Sequence, residues 1–349
     1  MASYIPKRPK TTNIFFYFLL TILAVFVLFN FTELKNDLVV FKEIKPIWFI
    51  CAVIAQILTY ILVMNIYTDL LNLYGQRSSI PRKQLFGASL VTLLLSQIVP
   101  IGGFSGQGYL VHFLQKRKMP SHVGLTIAIL ETFTYCFAHL IFSLFTVVCL
   151  IIIFKSLASG FLLLVAIFGV IIFLAEGSII LLFARKKTML SFESKIEKHK
   201  WLNWLFNKIK LEFPKKEILN EEWKGIWWII RKKSLSLLRP LFWQIMIILA
   251  DVATIFLLFS GFGFKIKFFV VLWGMVLTKA VVMISISPGA LVFFEGAMVL
   301  FYTAFGIPVH LVLIIALFFR GLSFWLPMPF GLYFYKRLAS VRNNLSNNE

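Results

Sequence analysis

Charged side chains are scarce in this sequence. Asp, Glu, Lys and Arg make up 14% of its 349 residues, whereas hydrophobic residues make up 60%. An average soluble domain carries roughly 25% charged residues. The composition therefore excludes a water-soluble fold and predicts a chain that lies largely within a lipid bilayer.

Cysteine and clustered catalytic residues are scarce as well. Cys51, Cys136 and Cys149 lie in apolar segments, and none of them has another cysteine close by in the sequence. This pattern excludes a disulfide framework and a zinc site. The sequence also lacks a metal-ligand cluster, a Ser or Cys nucleophile with a paired base, and a Walker motif. We therefore expect no metal, no cofactor, no use of ATP and no enzymatic activity.

Long apolar segments, by contrast, recur along the whole chain. A helix needs roughly 17 to 25 apolar residues to cross a bilayer. Six segments meet this requirement and predict full membrane spans: Asn13–Phe31, Pro46–Ile66, Ser121–Phe154, Gly160–Ala184, Arg239–Ser260 and Val309–Tyr335. The first lacks a small-residue cleavage site and is interpreted as a retained helix. The whole chain, 1–349, is predicted to form one membrane domain.

Two further pairs of apolar segments are too short to span. Gln84–Val99 stops at Pro100 and a glycine-rich run, after which Phe104–Gln115 leads to a basic turn. Phe268–Ile286 is likewise interrupted at Pro288, and Val292–Gly306 follows. Irregular backbone at membrane depth is tolerated only where protein or a water-filled cavity surrounds it. Both pairs are therefore predicted to be re-entrant helical hairpins with breaks that face a central cavity.

The two hairpins share sequence at a constant offset. The shift that carries Pro100 onto Pro288 also superposes further identical residues and places Gln107 on Glu295. These identities are Gly108 with Gly296, Pro120 with Pro308, and His122 with His310. They predict a duplication with units at about 84–154 and 266–335. Because three spans separate the hairpins, the two units are predicted to be inverted relative to each other.

The net charge of +20 is explained by membrane topology. With both termini in the cytoplasm, most Lys and Arg residues fall in cytoplasmic segments, as the positive-inside rule expects. The largest group lies in the segment 185–238, which is also rich in tryptophan. This composition is typical of helices in the headgroup plane, and either a solvated connector or an anionic-lipid site would account for it. Nucleic-acid binding is not expected.

Ionisable residues inside apolar segments are functional candidates because they are costly in hydrocarbon. They are Glu131, His139, Glu176, Asp251, Lys279, Glu295, His310 and Arg320. Glu131, Tyr135 and His139 follow at four-residue spacing and share one helix face. Arg320 lies one position from the repeat image of Glu131, so the two are predicted to pair, structurally or as part of a site. Glu295 could cap a helix or contact substrate.

The predicted breaks supply a second kind of candidate site. Broken helices expose backbone N–H groups that bind anions. The residues that would form these breaks are Pro100, Gly102, Gly103, Gly106, Pro288 and Gly289. The same glycines could instead allow close helix packing, and the sequence leaves both interpretations open.

Three blocks carry a resemblance to a known family. They are Pro100–Gln107 with Glu131 downstream, Ser287–Gly296, and Arg320–Trp325 with the residues up to Gly331. With them the sequence resembles the flippase-like transmembrane family, which forms the membrane part of bacterial lysylphosphatidylglycerol synthases and also occurs as stand-alone proteins. The chain departs from the family at Gln107, where an acid is common, and at Ala290 and Val292, where glycine is common.

The resemblance implies a bacterial inner-membrane protein that binds a phospholipid or isoprenoid-linked lipid and moves it between leaflets. A lipid-modifying enzyme would be a partner. The chain ends soon after its last predicted span, so we do not expect it to carry the soluble aminoacyl-transferring domain of the synthases.

The hypothesis is that an anionic headgroup contacts Lys279, Arg320 and free backbone amides, while Glu131 and Glu295 orient or neutralise these cations. Two alternatives remain. One is an ion- or proton-coupled transporter of a small solute with Glu131, His139 and Asp251 as a relay. The other is a non-transporting scaffold or biogenesis factor.

Overall fold

The chain folds into helices throughout its described part. The computed structural model describes residues 44–75, 80–98, 104–117, 119–153, 157–183, 226–283, 290 and 292–345. The helices are α1 Pro46–Leu73, α2 Arg82–Ile98, α3 Phe104–Gln115, α4 Ser121–Ile153, α5 Leu157–Phe183, α6 Ile226–Lys232, α7 Leu238–Gly261, α8 Phe268–Met283, α9 Phe293–Ala304, α10 Val309–Arg320 and α11 Pro327–Leu345. A 3₁₀ turn, Ser234–Leu237, precedes α7, and a π turn, Gly321–Trp325, joins α10 to α11.

Five helical segments are long and apolar enough to cross a membrane. They are Pro46–Leu73, His122–Ile152, Gly160–Leu182, Ser234–Gly261 and Val309–Leu338. They coincide with five of the six predicted spans and confirm an all-α polytopic membrane protein. The predicted span Asn13–Phe31 and the part of the basic segment from 185 to 225 lie outside the described residues.

An antiparallel pair of spans, α1 and α7, runs through the centre of the molecule. The Lys45 N–H donates to the Gly261 carbonyl (3.0 Å), which joins the start of α1 to the end of α7. At the other end, the Trp243 indole N–H donates to Asp69 Oδ2 (2.9 Å). The two spans therefore contact each other over nearly their whole length and define two opposite ends of the molecule.

Helices α2 and α3 form the first helix pair. The Ser105 hydroxyl donates to the Leu95 carbonyl (2.7 Å) near the closed end, and Arg117 Nη2 donates to Gln84 Oε1 (2.7 Å) at the open end. The two helices are thus antiparallel. Leu85 at the open end lies in one apolar cluster with Leu73, so this pair opens toward the end of α1.

Helices α8 and α9 form the second helix pair, which opens the other way. The Tyr302 hydroxyl donates to the Val271 carbonyl (2.9 Å), and the Trp273 and Phe305 rings lie 6.1 Å apart. Tyr302 also stacks on Phe259 near the end of α7, with 5.7 Å between ring centroids. The predicted inverted duplication, which remains a prediction, requires such opposite orientations.

The closed ends of both helix pairs meet the π turn. Gln97, next to the end of α2, donates to the Ser323 carbonyl (3.5 Å), and Arg320 Nη2 donates to the Ala290 carbonyl (3.2 Å). Tyr60, near the middle of α1, donates to the Leu322 carbonyl (2.5 Å). A π turn leaves carbonyls without their usual helical partners. Side chains from the first pair and α1 satisfy them here.

The backbone near the closed ends of both helix pairs has positions that favour glycine. A Cβ atom at Gly106 would collide with the Thr92 carbonyl oxygen and the Ser96 hydroxyl, so α3 can approach α2 this closely only with glycine. Ala290 and Val292 have φ values of 49° and 70°, a region that favours glycine. These are the two positions where the resemblance leads one to expect glycine.

Gly106→Ala should destabilise the protein by about 1–3 kcal/mol, because the added methyl group has no room between α2 and α3. Thermal unfolding of the purified protein in detergent measures the change. Gly296→Ala is the matched control, since open space surrounds a Cβ there, and it should leave the transition unchanged or raise it. Equal behaviour of the two variants would contradict the close approach of α3 to α2.

Val292→Gly should stabilise the protein by about 1 kcal/mol, because a β-branched residue at positive φ is strained. Little packing is lost, as Val292 is 80% exposed. The control is Val309→Gly, at a half-exposed valine in the first turn of α10, which should lower the unfolding temperature. A decrease for both variants would show that Val292 is not strained.

Candidate functional site

Two side-chain pairs occupy equivalent places in the two helix pairs. In the first, the Gln107 amide of α3 donates to Glu131 Oε2 of α4. In the second, Arg320 Nε of α10 donates to Glu295 Oε1 of α9 at 2.9 Å. Each contact ties the return helix of a pair to the long helix that follows it. The predicted duplication superposes Gln107 on Glu295 and brings Glu131 within one residue of Arg320.

Arg320 is fixed on several sides. Besides Glu295 and the Ala290 carbonyl, its guanidinium lies 4.4 Å from the centre of the Phe294 ring. Only 12% of the Arg320 side chain and 19% of the Glu295 side chain is exposed, so the ion pair is mostly shielded from solvent. These contacts use two of the five N–H donors of a guanidinium. The group is preorganised, and the described residues leave its other donors unused.

Glu295 also has a hydrogen-bond acceptor that the described residues do not use. Its second oxygen, Oε2, is buried and has no hydrogen-bond partner among the described residues. The amide oxygen of Gln107, at the equivalent position of the first helix pair, is buried without a partner in the same part of the chain. Acceptors at matching places in both pairs are therefore unsatisfied by the described residues.

Lys279 is less well coordinated than Arg320. Its ammonium lies 3.8 Å from Asp251 Oδ2, too far for a hydrogen bond, and makes no hydrogen bond with any residue that the structure describes. Asp251 in turn accepts a long hydrogen bond from Gln56 at 3.5 Å. Lys279 is close enough to Arg320 for their positive charges to repel each other. Two cations thus share the region beside the second helix pair.

Helix α7 connects the polar groups of the two helix pairs. Gln244 donates to Glu131 Oε1 at 3.4 Å, and Asp251 contacts Lys279. Gln244 and Asp251 are seven residues apart and share one face of the helix. The amides Gln56 and Gln244 were not among the predicted site residues because they carry no charge. The seven-residue spacing to Asp251 was the signal that could have revealed Gln244.

The predicted pairing of Glu131 with Arg320 is wrong. Arg320 contacts Glu295, and Glu131 contacts Gln107 and Gln244. The reason is local packing, because each return helix lies against the next long helix and its side chains meet that helix first.

The remaining predicted site residues lie in different parts of the structure. His139 is buried on α4, 4.2 Å from the Tyr135 ring, as their predicted common face requires. Glu176 on α5 contacts the Cys136 thiol, and His310 is exposed at the start of α10. The predicted break residues are not placed, since they lie outside the described residues: Pro100, Gly102, Gly103, Pro288 and Gly289.

Comparison with known proteins gives two matches. A family model described as the lysylphosphatidylglycerol synthase TM region matches residues 14–331, which include both helix pairs and every polar contact above. A UPF0104 membrane protein of Methanocaldococcus jannaschii is 22% identical over 329 residues, covering 93% of this chain and 94% of that protein. Both matches extend over nearly the whole chain.

Arg320→Met should destabilise the protein by about 3 kcal/mol or more, because it leaves the Glu295 carboxylate without its cation in a water-poor interior. Unfolding by a denaturing detergent, followed by helical circular dichroism, measures the loss. Adding Glu295→Gln to this variant removes the unpaired charge and should recover much of the stability. If the two substitutions were additive, the ion pair would have no energetic role.

Proposed function

Because the chain belongs to the family of lysylphosphatidylglycerol synthase transmembrane regions, we propose that it moves an anionic phospholipid or isoprenoid-linked lipid between membrane leaflets. Family membership supports a lipid-related function at a membrane. The chain carries out no covalent chemistry in this proposal, and a separate lipid-modifying enzyme would supply or use the lipid.

The observation that carries the proposal is the incomplete coordination of Lys279 beside Arg320. An ammonium group in an apolar environment is costly unless it is paired and hydrogen-bonded. Lys279 has one distant carboxylate and no hydrogen bond with the described residues. A phosphate group would supply the missing acceptors and would also accept from the donors that Arg320 retains.

The opposite orientations of the two helix pairs would connect this site to both sides of the membrane. The pairs open toward opposite ends of the α1–α7 pair, while their closed ends meet near Arg320 and the π turn. A headgroup held there would be shielded from hydrocarbon while its apolar chains stay in lipid. Backbone N–H groups of the residues around Pro100 and Pro288, which lie outside the described residues, would add donors. Re-entrant hairpins related by an inverted repeat are part of this proposal.

Charge distribution supports an orientation. One end of the molecule carries Arg82, Lys83 and Arg117 at the open end of the first helix pair, together with Lys233, whose ammonium donates to the Leu73 carbonyl (2.7 Å). We infer that this end faces the cytoplasm, where basic residues concentrate. Both chain termini would then be cytoplasmic, and the membrane would be the cell membrane.

A second function is favoured by the polar groups along α7. Gln244 and Asp251 link Glu131 to Lys279, and Lys279 lies near His139. Such a track would suit an ion-coupled transporter of a small solute. Solute uptake into proteoliposomes that depends on a counter-ion, without any selective lipid binding, would favour this function over lipid movement.

Lys279→Met should abolish both selective lipid binding and lipid movement. The side chain keeps its length but cannot bind a phosphate. Native mass spectrometry of the purified protein reports the co-purifying lipid, and reduction of fluorescent lipid in the outer leaflet of proteoliposomes reports movement. Lys267→Met is the control, because Lys267 is exposed just before α8 and should not matter. Finding the same lipid and the same rate in both variants would refute the proposed site.

A further inference from the structure

We propose that Glu131 binds a proton within the membrane and that this protonation is coupled to lipid movement. The coupling rests on the proposed function, whereas the proton site stands on the geometry of Glu131 alone.

Glu131 has no cation partner in the described part of the chain. Its carboxyl oxygens accept from the amides of Gln107 and Gln244, and Thr132 is a further neutral donor beside it. By contrast, Asp251 contacts Lys279 and Glu295 contacts Arg320. These two acids balance the two cations, which leaves Glu131 and Glu176 without a cation among the described residues, and of these two acids Glu131 is the one that accepts a hydrogen bond from a helix pair. A carboxylate without a cation is costly in hydrocarbon, and protonation removes that cost.

The titratable groups around Glu131 do not supply a positive charge. Tyr67 approaches from α1, and Tyr135 and Cys136 belong to its own helix. Asp251 on α7 and Glu176 on α5 act on Tyr135 and would repel a second negative charge. None of these neighbours carries a positive charge that would offset a negative charge on Glu131.

Protonation also changes which hydrogen bonds Glu131 can make. A carboxylate only accepts hydrogen bonds, so it can bind the amide groups of Gln107 and Gln244 at its two oxygens. A protonated carboxyl group also donates one. The buried Gln107 oxygen has no partner among the described residues and would accept that hydrogen bond once the amide rotated. Protonation therefore rearranges the contact between the first helix pair and α4.

Protonation of Glu131 also limits the net charge near the proposed headgroup site. Through Gln244 and Asp251, α7 connects Glu131 to the Lys279 site where the anionic headgroup would bind. A proton bound for each phosphate bound keeps the net charge of the loaded interior low. The proton enters from water at one side, is carried as the O–H of the Glu131 carboxyl group, and leaves to water at the other side.

Infrared spectroscopy tests the proton site without any transport. The wild-type protein should show the C=O stretch of a protonated carboxyl group, which disappears as the pH is raised. Glu131→Gln should remove this band, whereas Glu131→Asp should retain it at a shifted frequency. Glu176→Gln is the matched control, because Glu176 is also an acid within a span but contacts the Cys136 thiol rather than a helix pair. A band unaffected by Glu131→Gln would overturn the proposal.

Proteoliposomes with an imposed pH gradient test the coupling. In the wild type and in Glu176→Gln, the steady-state ratio of lipid between leaflets should shift by up to about tenfold for each pH unit. In Glu131→Gln it should not respond. Lipid movement that ignores the gradient in the wild type would overturn the coupling. If no lipid moved at all, the proposed function would fail, but the infrared result would still decide the proton site.

Discussion

The ion pair between Arg320 and Glu295 is the interaction on which the arrangement of the interior depends. A guanidinium group in a water-poor region must be paired, and this one joins the end of α10 to the start of α9 and to the Ala290 carbonyl. Because the π turn follows Arg320 directly, the same contact fixes the backbone that receives Tyr60 and Gln97. Both helix pairs are thereby attached to one short segment of the last span.

The contacts at equivalent places of the two helix pairs differ in chemistry. In the second helix pair, a guanidinium that can only donate meets a carboxylate that can only accept. In the first, an amide and a carboxyl group meet, and this contact can exist with or without a proton. One contact therefore suits permanent attachment, and the other suits a change of state. Gln107 stands where the resemblance leads one to expect an acid, and its amide contributes to this difference.

Hydropathy predicted the framework well because membrane spans depend on length and composition, which any segment carries by itself. Five spans and the four short helices were predicted close to their observed positions, for instance Phe104–Gln115. The pairing of polar groups was not predicted correctly, because it depends on which helices face each other. A constant repeat offset suggested Glu131 with Arg320, whereas packing placed each beside its own return helix. Gln56 and Gln244 were missed because only ionisable residues had been considered costly.

The π turn has a consequence for the rotational phase of the last span. An α-helix advances about 100° per residue, so widening one turn rotates everything that follows relative to what precedes it. Arg320 of α10 consequently faces α9, while Phe334 and Gly331 of α11 lie against Gly87 and Leu94 of α2. Regular α-helical geometry over the same five residues would leave the span long enough to cross the bilayer but would point its second half at the wrong neighbour.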